Sequence, residues 1–337
     1  MRTYADKILM GQEPQDAVEM VAIPVKEFIS ASKLTADIFV RLGDRFVQIA
    51  RAGDTVAVER LMVYESKKVD YLYVRKSDYS TYVDKNLAIA GVLINRSELD
   101  VSRKNGFVTA ISHSVLQEME DLGFTSETFE HARAVTKITV DLIEAKPAFR
   151  DLFAALNNCS NETLAHSVAV SMVAVMLGQA LGWTQQSVLE KLALGGLLHD
   201  IGMKELPPTL LKKPRAEMSF SELREYETHC DRGVKILQSL GIVPDDVICI
   251  VLEHHELAAG QGFPKRLKSV RIHPLARVVG LANYFCELTV KNRNSGRVRT
   301  PAEAVAYIEK TASKHYNKEL MSALIATFSP QESKKAG

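Results

Sequence analysis

The feature that most constrains this 337-residue chain is a histidine followed directly by an aspartate at the end of an apolar stretch. Residues 192–198 are apolar or glycine and cover about two helical turns, and His199 and Asp200 follow at once. Imidazole and carboxylate are the groups that best bind a divalent metal when no thiolate takes part. A single pair of this kind also fits an ordinary buried core, so the other histidines must decide between the two interpretations.

Those other histidines concentrate in the same half of the chain. Five of the nine histidines fall within residues 162–255, each in or beside an apolar helical pattern. Glu162 precedes His166 by four residues, which places both on one helix face. The adjacent His254 and His255 would point about 100° apart on a helix, which suits two neighbouring ions better than one. The pattern predicts a metal site in a helical domain.

Composition argues against several other classes of protein. A net charge of +1 gives no reason to expect a nucleic-acid polymer or a membrane surface as partner. The scattered cysteines Cys159, Cys230, Cys249 and Cys286 form no Cys-x-x-Cys pair, which argues against a disulfide framework and a thiolate zinc site. The N-terminus lacks a signal-peptide pattern, and the apolar residues 168–183 are interrupted by polar ones, which predicts a buried helix instead of a membrane span. We therefore expect a cytoplasmic protein.

The first part of the chain predicts a small α/β module. Residues 37–42 and 45–51 resemble two strands of a hairpin across the turn at Gly43. A helical pattern covers residues 56–67, and another strand is predicted at residues 69–75. The module contains neither a ligand-type cluster nor a glycine-rich phosphate loop. We expect it to serve regulation or partner contact, with ligand sensing as the alternative.

From residue 87 onward the pattern is helical almost to the end. The polar residues 100–107 predict a loop, and residues 123–126 predict a break followed by a helix cap. His113 and His131 have no ligand-type neighbours, so we expect surface or packing roles for them. The fold class predicted is a small N-terminal α/β module followed by an all-α helical bundle.

The predicted domain boundaries follow from these patterns. Residues 1–125 form the N-terminal module with a helical linker, residues 126–330 form the all-α metal-binding domain, and residues 331–337 form a disordered tail.

The order of the histidines and acidic residues resembles the HD-GYP domain, a branch of the HD metal-dependent phosphohydrolases. The resemblance covers residues 156–328 and rests on His199-Asp-Ile-Gly, His229, His254-His255-Glu256 and the loop of residues 260–264. It implies an all-helical bundle that holds two, sometimes three, iron or manganese ions. It also implies hydrolysis of the bacterial messenger cyclic di-GMP.

Transferred position by position, the resemblance implies a set of metal ligands. They are Glu162, His166, His199, Asp200, His229, His254 and His255. Asp200 would bridge two ions, and His199 and Asp200 would be the catalytic residues. Two cations about 3.5–4 Å apart could bring the pKa of a bridging water near neutrality, and the resulting hydroxide would attack phosphorus in line. The ligand types favour iron first, with manganese or zinc as alternatives, over magnesium.

Three residues depart from the family pattern. Phe263 replaces a tyrosine and lacks its hydroxyl, and Met203 replaces a lysine. Lys204 is adjacent but would point about 100° away on a helix. Asn283 stands where the family has its last ligand, an aspartate, and brings no charge. We therefore expect two ions, with Asn283 as a weak ligand or as a hydrogen-bond partner of metal-bound water.

The candidate substrate-binding residues are Arg293, Lys291, Lys204, Phe263 and Gly262. Arg293 and Lys291 belong to a basic loop, a region in which the family contacts substrate phosphates. Arg293 stands one residue out of the family register, and a solvated loop is the alternative interpretation.

The predicted function is that of a metal-dependent phosphodiesterase in bacterial signalling, acting on cyclic di-GMP or a related nucleotide through a water activated by two metals. The alternative is a relative that has lost turnover and serves as a cyclic-dinucleotide-binding or protein-interaction module. A signalling protein is a possible partner under both hypotheses.

Overall fold

The computed structural model describes most of the chain. The described residues are 19–25, 28, 33–54, 64, 69–144, 156–157, 161–292 and 297–329. Three sequence predictions therefore lie outside them: the helix at residues 56–67 apart from Tyr64, the substrate contact at Arg293 and the tail at residues 331–337.

The chain divides into two compact units, Met1–Tyr82 and Val83–Gly337. In the structure, the helix at residues 101–121 packs against helices of the second unit, so the unit begins earlier than the sequence boundary at residue 125. The functional division near residue 125 stays a prediction.

The first unit contains a four-stranded antiparallel sheet in the order β1-β4-β2-β3. Its strands are β1 (Met20–Pro24), β2 (Ile38–Leu42), β3 (Arg45–Ala50) and β4 (Tyr71–Arg75). The predicted hairpin and the predicted strand at residues 69–75 are confirmed. Gly43 forms the turn of the hairpin with a φ of 61°, a conformation that glycine adopts without strain.

The rest of the described chain is helical, which confirms the predicted fold class. The helices are α1 (Lys76–Leu93), α2 (Val101–Asp121), α3 (Ser126–Glu144), α4 (Glu162–Ala180), α5 (Gln186–Leu198), α6 (Pro208–Leu211), α7 (Phe220–Glu227), α8 (His229–Gln238), α9 (Asp245–Glu253), α10 (Pro274–Thr289), α11 (Pro301–Thr311) and α12 (Lys318–Phe328). Short 3-10 helices lie at Ile201–Glu205, Arg215–Glu217, Ser269–Arg271 and Ser313–His315.

Helix α4 is the centre of this bundle. It packs on α2, α3, α5, α10 and α12, and its residues from Leu164 to Gly178 are all buried. By length and composition α4 could cross a membrane, but 83% of the apolar window lies buried inside the protein, as the sequence predicted. The helix is therefore a core element that carries His166 at its start.

Close packing of α5 on α4 fixes the position of the His-Asp pair. Ser171 on α4 donates a hydrogen bond from Oγ to the carbonyl of Ala193 on α5, at 2.8 Å. A side chain on Gly196 would overlap the backbone of Ser171, so only glycine allows the two helices to approach this closely. Since α5 ends at Leu198, the packing holds His199 against the start of the core helix.

The predicted loop at residues 100–107 is wrong. Asp100 is the N-cap of α2, and its Oδ1 accepts a hydrogen bond from the backbone N–H of Arg103 at 2.8 Å. The first turns of α2 have a largely exposed face, so their polar residues reflect solvent contact and not a break in the helix.

Candidate metal centre

Hydrogen bonds to the backbone fix the ring orientation of each of three buried histidines. Each donates a hydrogen bond from Nδ1 to the carbonyl three residues earlier. The distances are 2.8 Å from His199 to Gly196, 2.7 Å from His229 to Tyr226 and 2.9 Å from His254 to Val251. A carbonyl can only accept, so Nδ1 carries the proton and the Nε2 lone pair remains available. Histidines that bind metals have this arrangement.

The Asp200 carboxylate lies where these three Nε2 atoms meet. Its Oδ2 is 3.3 Å from His199 Nε2, and its Oδ1 is 3.4 Å from His229 Nε2 and 3.7 Å from His254 Nε2. Burial alone would raise the pKa of Asp200, but the surrounding histidines, His199 foremost, hold that pKa well below its usual range. The carboxylate is therefore ionised and acts as the common acidic group of the site.

Asp200 belongs to two groups of potential metal ligands. The four-residue cluster contains Asp200, His229, His254 and His255, and the three-residue cluster contains His166, His199 and Asp200. Within each cluster the ligand atoms lie within 4.8 Å of one another. The structure thus brings together six of the seven residues that the sequence predicted as ligands.

The residues of the four-residue cluster fit a bound cation. His229 Nε2 and His254 Nε2 are 3.4 Å apart, and both nitrogens direct lone pairs toward the same space. Without a cation or a shared proton these lone pairs repel. Two nitrogens about 2.1 Å from one ion at a tetrahedral angle lie roughly 3.4 Å apart, so the observed separation suits a single metal ion.

Three histidines of the two clusters have the protonation state that a metal requires. Burial lowers the pKa of His166 and the pKa of His229 to about 4. The pKa of His255 lies well below its usual value because of burial and the neighbouring His254 and His229. These imidazoles are neutral near pH 7, and the neutral form is the one that coordinates metals.

Asn283 contacts a histidine in the three-residue cluster. His166 Nε2 lies 2.8 Å from the side-chain oxygen of Asn283 on α10, and both residues are buried. The amide fixes the ring of His166 but adds no negative charge. Asp200 is then the only carboxylate of this cluster.

Glu162 lies at the edge of the site and belongs to neither cluster. It lines a cavity of about 290 Å³ together with His166 and Asp200. Its Oε1 is 2.8 Å from Lys291 Nζ, so a predicted ligand and a predicted substrate contact form an ion pair here. The roles of Glu162 as ligand and of Lys291 as substrate contact stay predictions.

Two glycines let the backbone approach the histidines. A side chain on Gly202 would overlap the carbonyl of His229, and a side chain on Gly262 would overlap the carbonyl of His255. Glycine is therefore required after His-Asp-Ile and in the Gly-Phe-Pro loop for packing reasons. Gly262 supports the position of His255, and a direct contact with substrate stays a prediction.

Phe263 packs against two histidines of the four-residue cluster, His229 and His255. Its ring stacks on His255, with centroids 4.4 Å apart and an angle of 29° between the planes. It shares a buried apolar group with Met203, Cys230 and Tyr226. The position where the family carries a lysine is thus a core position in this chain, whereas the neighbouring Lys204 is exposed and lines a second cavity.

Sequence reasoning missed two charged residues beside the site. The guanidinium carbon of Arg215 is 5.4 Å from the ring centroid of Phe263 and 5.5 Å from that of Tyr226. Glu287 on α10 lines the same cavity as Glu162. Glu287 follows Asn283 by four residues, and this helical spacing could have indicated it. Arg215 carried no such signal, because only the fold brings it to the rings.

The site lies in the part of the chain that resembles known proteins. Residues 141–320 match the model of the family described as HD domain. The chain is 29% identical over 168 residues to the cyclic di-GMP phosphodiesterase PA4108 of Pseudomonas aeruginosa, covering 50% of this chain and 40% of that protein. It is 29% identical over 175 residues to the 3'3'-cGAMP-specific phosphodiesterase 2 of Vibrio cholerae, covering 51% and 32%. This chain spans less than half the length of either relative.

A solved structure of "Bd1817, a HDG"Y"P protein from Bdellovibrio bacteriovorus" aligns with a TM-score of 0.68 over 91% of this chain and 98% of that chain. The sequence identity is 24%, so the likeness concerns the fold. The family match covers more than half of the chain and includes every residue of both clusters. The chain belongs to the HD domain family.

Proposed function

We propose that this protein is a metal-dependent phosphodiesterase of the HD-GYP type that hydrolyses cyclic di-GMP or a related cyclic dinucleotide. The observation that carries the proposal is the position of Asp200, whose carboxylate is common to both clusters. The names of the relatives support it, since they act on cyclic di-GMP or 3'3'-cGAMP, both of which contain guanine. A cytoplasmic location and a signalling-protein partner are further parts of the proposal.

Two divalent ions would be held by the two clusters, with Asp200 common to both and His199 beside it. Iron is the first expectation, with manganese or zinc as alternatives, because histidine and carboxylate ligands suit these ions better than magnesium. When bound, such a pair supplies a hydroxide near neutral pH and offsets the charge of the phosphate. Glu162 would complete the set from the edge of the cavity.

The surrounding residues orient the ligands and receive the substrate. The bonds from His199, His229 and His254 to backbone carbonyls hold the rings in place before an ion binds. The ring of Phe263 stacks on His255 and supports the orientation of that imidazole. Lys291, and Arg293 outside the described residues, would neutralise the phosphates, and Arg215 adds a cation near the Phe263 ring.

A second candidate function is supported by the departures from the family. Met203 is buried among apolar side chains where the family has a lysine, and Asn283 binds His166 where the family has an acid. A protein that binds a cyclic dinucleotide without hydrolysing it would retain the clusters and tolerate these changes.

Turnover of cyclic di-GMP separates the two functions. The protein is purified without oxygen, its metal content is determined in the same sample, and products are followed by chromatography. We expect linear pGpG or GMP from wild type, none from Asp200→Asn, and wild-type rates from the control Asp246→Asn, whose carboxylate pairs with Lys191. If fully metallated wild-type protein gives no product, the result would contradict the phosphodiesterase function and favour binding of a cyclic dinucleotide without hydrolysis.

Restoring the three family residues directly tests whether this chain binds the substrate without hydrolysing it. Phe263→Tyr, Met203→Lys and Asn283→Asp are combined in one protein. If the chain has lost turnover, the triple variant should gain cyclic di-GMP hydrolysis from near zero. If wild type already hydrolyses the substrate, the departures are tolerated. The melting temperature must be followed as well, because Met203→Lys places an ammonium group in an apolar cluster.

A further inference from the structure

A second cavity lies beside the metal centre and reaches the same carboxylate. Its volume is about 200 Å³, and it shares Thr163, Asp200, Met203 and Leu211 with the cavity that contains Glu162. A ligand whose phosphate lies at Asp200 could therefore extend into this second cavity and remain in contact with the protein. For the proposed substrate, the group next to the phosphate is a nucleoside.

The walls of the second cavity are largely apolar. They are formed by apolar side chains of α2, α4 and α5, namely Leu116, Met119, Leu164, Leu197 and Leu198, all of them buried. Binding sites for nucleobases combine such apolar walls with a few polar groups that select the base. Helix α2 precedes the residues 141–320 matched by the family model, so one wall comes from a part of the chain outside that match.

The polar groups of the cavity include one acidic and one basic side chain. Glu120 at the end of α2 and Lys204 in the 3-10 helix after Asp200 both line it and both have solvent-exposed surface. Burial and the nearby Asp121 raise the pKa of Glu120, while Lys204 lowers it, so the two opposite charges act on each other. Ser167 adds a hydroxyl to the wall. The opening therefore offers a carboxylate acceptor and an ammonium donor together.

We propose that this cavity binds a guanine base of the substrate and that Glu120 and Lys204 select guanine over adenine. The assignment rests on the proposed function, which places the phosphate at Asp200. Guanine presents two neighbouring donors, N1–H and the N2 amino group, and one carboxylate can accept from both. The guanine O6 acceptor lies next to N1–H, where an ammonium group can donate to it. Adenine has an acceptor at N1 and only one amino group on that edge, so it cannot form the same pair of bonds.

Equilibrium binding of mononucleotides tests the subsite without requiring turnover. GMP and AMP are titrated by calorimetry into the metal-loaded 337-residue chain, as wild type, Glu120→Gln and the control Glu309→Gln. Glu309 is an exposed residue of α11 that lines neither cavity. Wild type and the control should bind GMP more tightly than AMP. Glu120→Gln should reduce that preference about 10- to 100-fold, the effect of losing hydrogen bonds to a charged group. Equal affinities of wild type for the two nucleotides, or an unchanged preference in Glu120→Gln, would overturn the proposal.

A second variant tests the cavity itself. Met119→Trp would fill the space between the walls, so it should weaken GMP binding while the metal content per chain stays at the wild-type value. Undiminished GMP binding by a folded Met119→Trp protein would contradict the subsite; if the melting temperature shows that this variant does not fold, Glu120→Gln decides. Hydrolysis of bis(4-nitrophenyl) phosphate, a diester without a base, separates the subsite from the proposed function. Metal-loaded wild type that fails to cleave it contradicts the proposed function, whereas the GMP and AMP affinities decide the subsite on their own.

Discussion

Two sets of histidines have opposite surroundings: His131 forms the first set, and the histidines of the two ligand clusters form the second. His131 on α3 is buried against Glu118 on α2, with 2.8 Å between Nδ1 and Oε2. The hydrogen bond that His131 donates to Glu118 is the main cause that raises the pKa of His131. In the two ligand clusters, burial instead lowers the pKa of His166 and the pKa of His229 to about 4. One histidine has a carboxylate of its own, whereas five histidines converge on Asp200.

The difference shows that burial of a histidine does not by itself indicate a metal ligand. His131 has satisfied its polar requirement within the protein, in agreement with the packing role expected from the sequence. In the four-residue cluster, His229 and His254 donate their Nδ1 protons to backbone carbonyls, and their Nε2 lone pairs face each other. Converging lone pairs next to one ionised carboxylate repel unless a cation or a shared proton lies between them, and these are the ligand types that bind divalent metals.

The largest expected effect comes from Asp200→Asn, because this substitution removes the acidic group of both clusters. We expect the metal content to fall from two ions per chain to near zero. The loss of metal affinity should be well beyond the roughly 10- to 100-fold that is typical when a hydrogen-bond partner of a metal ligand is substituted. Plasma mass spectrometry of the desalted protein measures it. His131→Gln is the matched control and should retain both ions. Metal retention by Asp200→Asn would remove the distinction between the two sets.

Single substitutions in the separate clusters should have about half that effect. His255 belongs only to the four-residue cluster and His166 only to the three-residue cluster, so His255→Ala and His166→Ala should each reduce the metal content to about one ion per chain. Competition titrations with a chelator show which ion is lost. Loss of both ions from each variant would mean that the clusters form one indivisible site.

A smaller gain is expected from Asn283→Asp. The new carboxylate would lie beside His166 and add a negative charge to the cluster whose only acid is Asp200. We expect the affinity of the more weakly bound ion to increase by about tenfold, since opposite charges within about 4–6 Å interact by more than 1 kcal/mol in a partly buried site. The same chelator titration measures it. An unchanged affinity would show that charge does not limit this cluster.

The smallest expected effect concerns the pH dependence of stability at His131. Its pKa is higher in the folded than in the unfolded protein, so its stabilising contribution is complete below the unfolded value of 6.5. That contribution, about 1 kcal/mol, is lost as the pH rises through the folded pKa. Urea unfolding of wild type and His131→Gln from pH 6 upward should show two stabilities that converge. A constant difference would contradict the charged pair.

The residues of the two ligand clusters were largely predictable from the sequence, because short local motifs contain them. His199-Asp200, His254-His255 and the four-residue spacing from Glu162 to His166 each place ligand types on a helix or at its end. The order of these segments along the chain then supports the resemblance to the HD family. The structure adds the common position of Asp200 and separates Glu162, which pairs with Lys291.

The remaining features could not be predicted because they depend on contacts between distant segments. Arg215 lies over the ring of Phe263, which is 48 positions later in the sequence, and Glu120 interacts electrostatically with Lys204, which is 84 positions later. The predicted loop at residues 100–107 failed for another reason: its polar residues mark an exposed helix face.

The metal content of the wild-type chain purified without oxygen tests the central claim most directly. Two ions per chain, lost together in Asp200→Asn and retained in His131→Gln, is the predicted result. A content of three ions, or the absence of any tightly bound metal after incubation with iron, manganese and zinc, would contradict a two-ion site organised around Asp200.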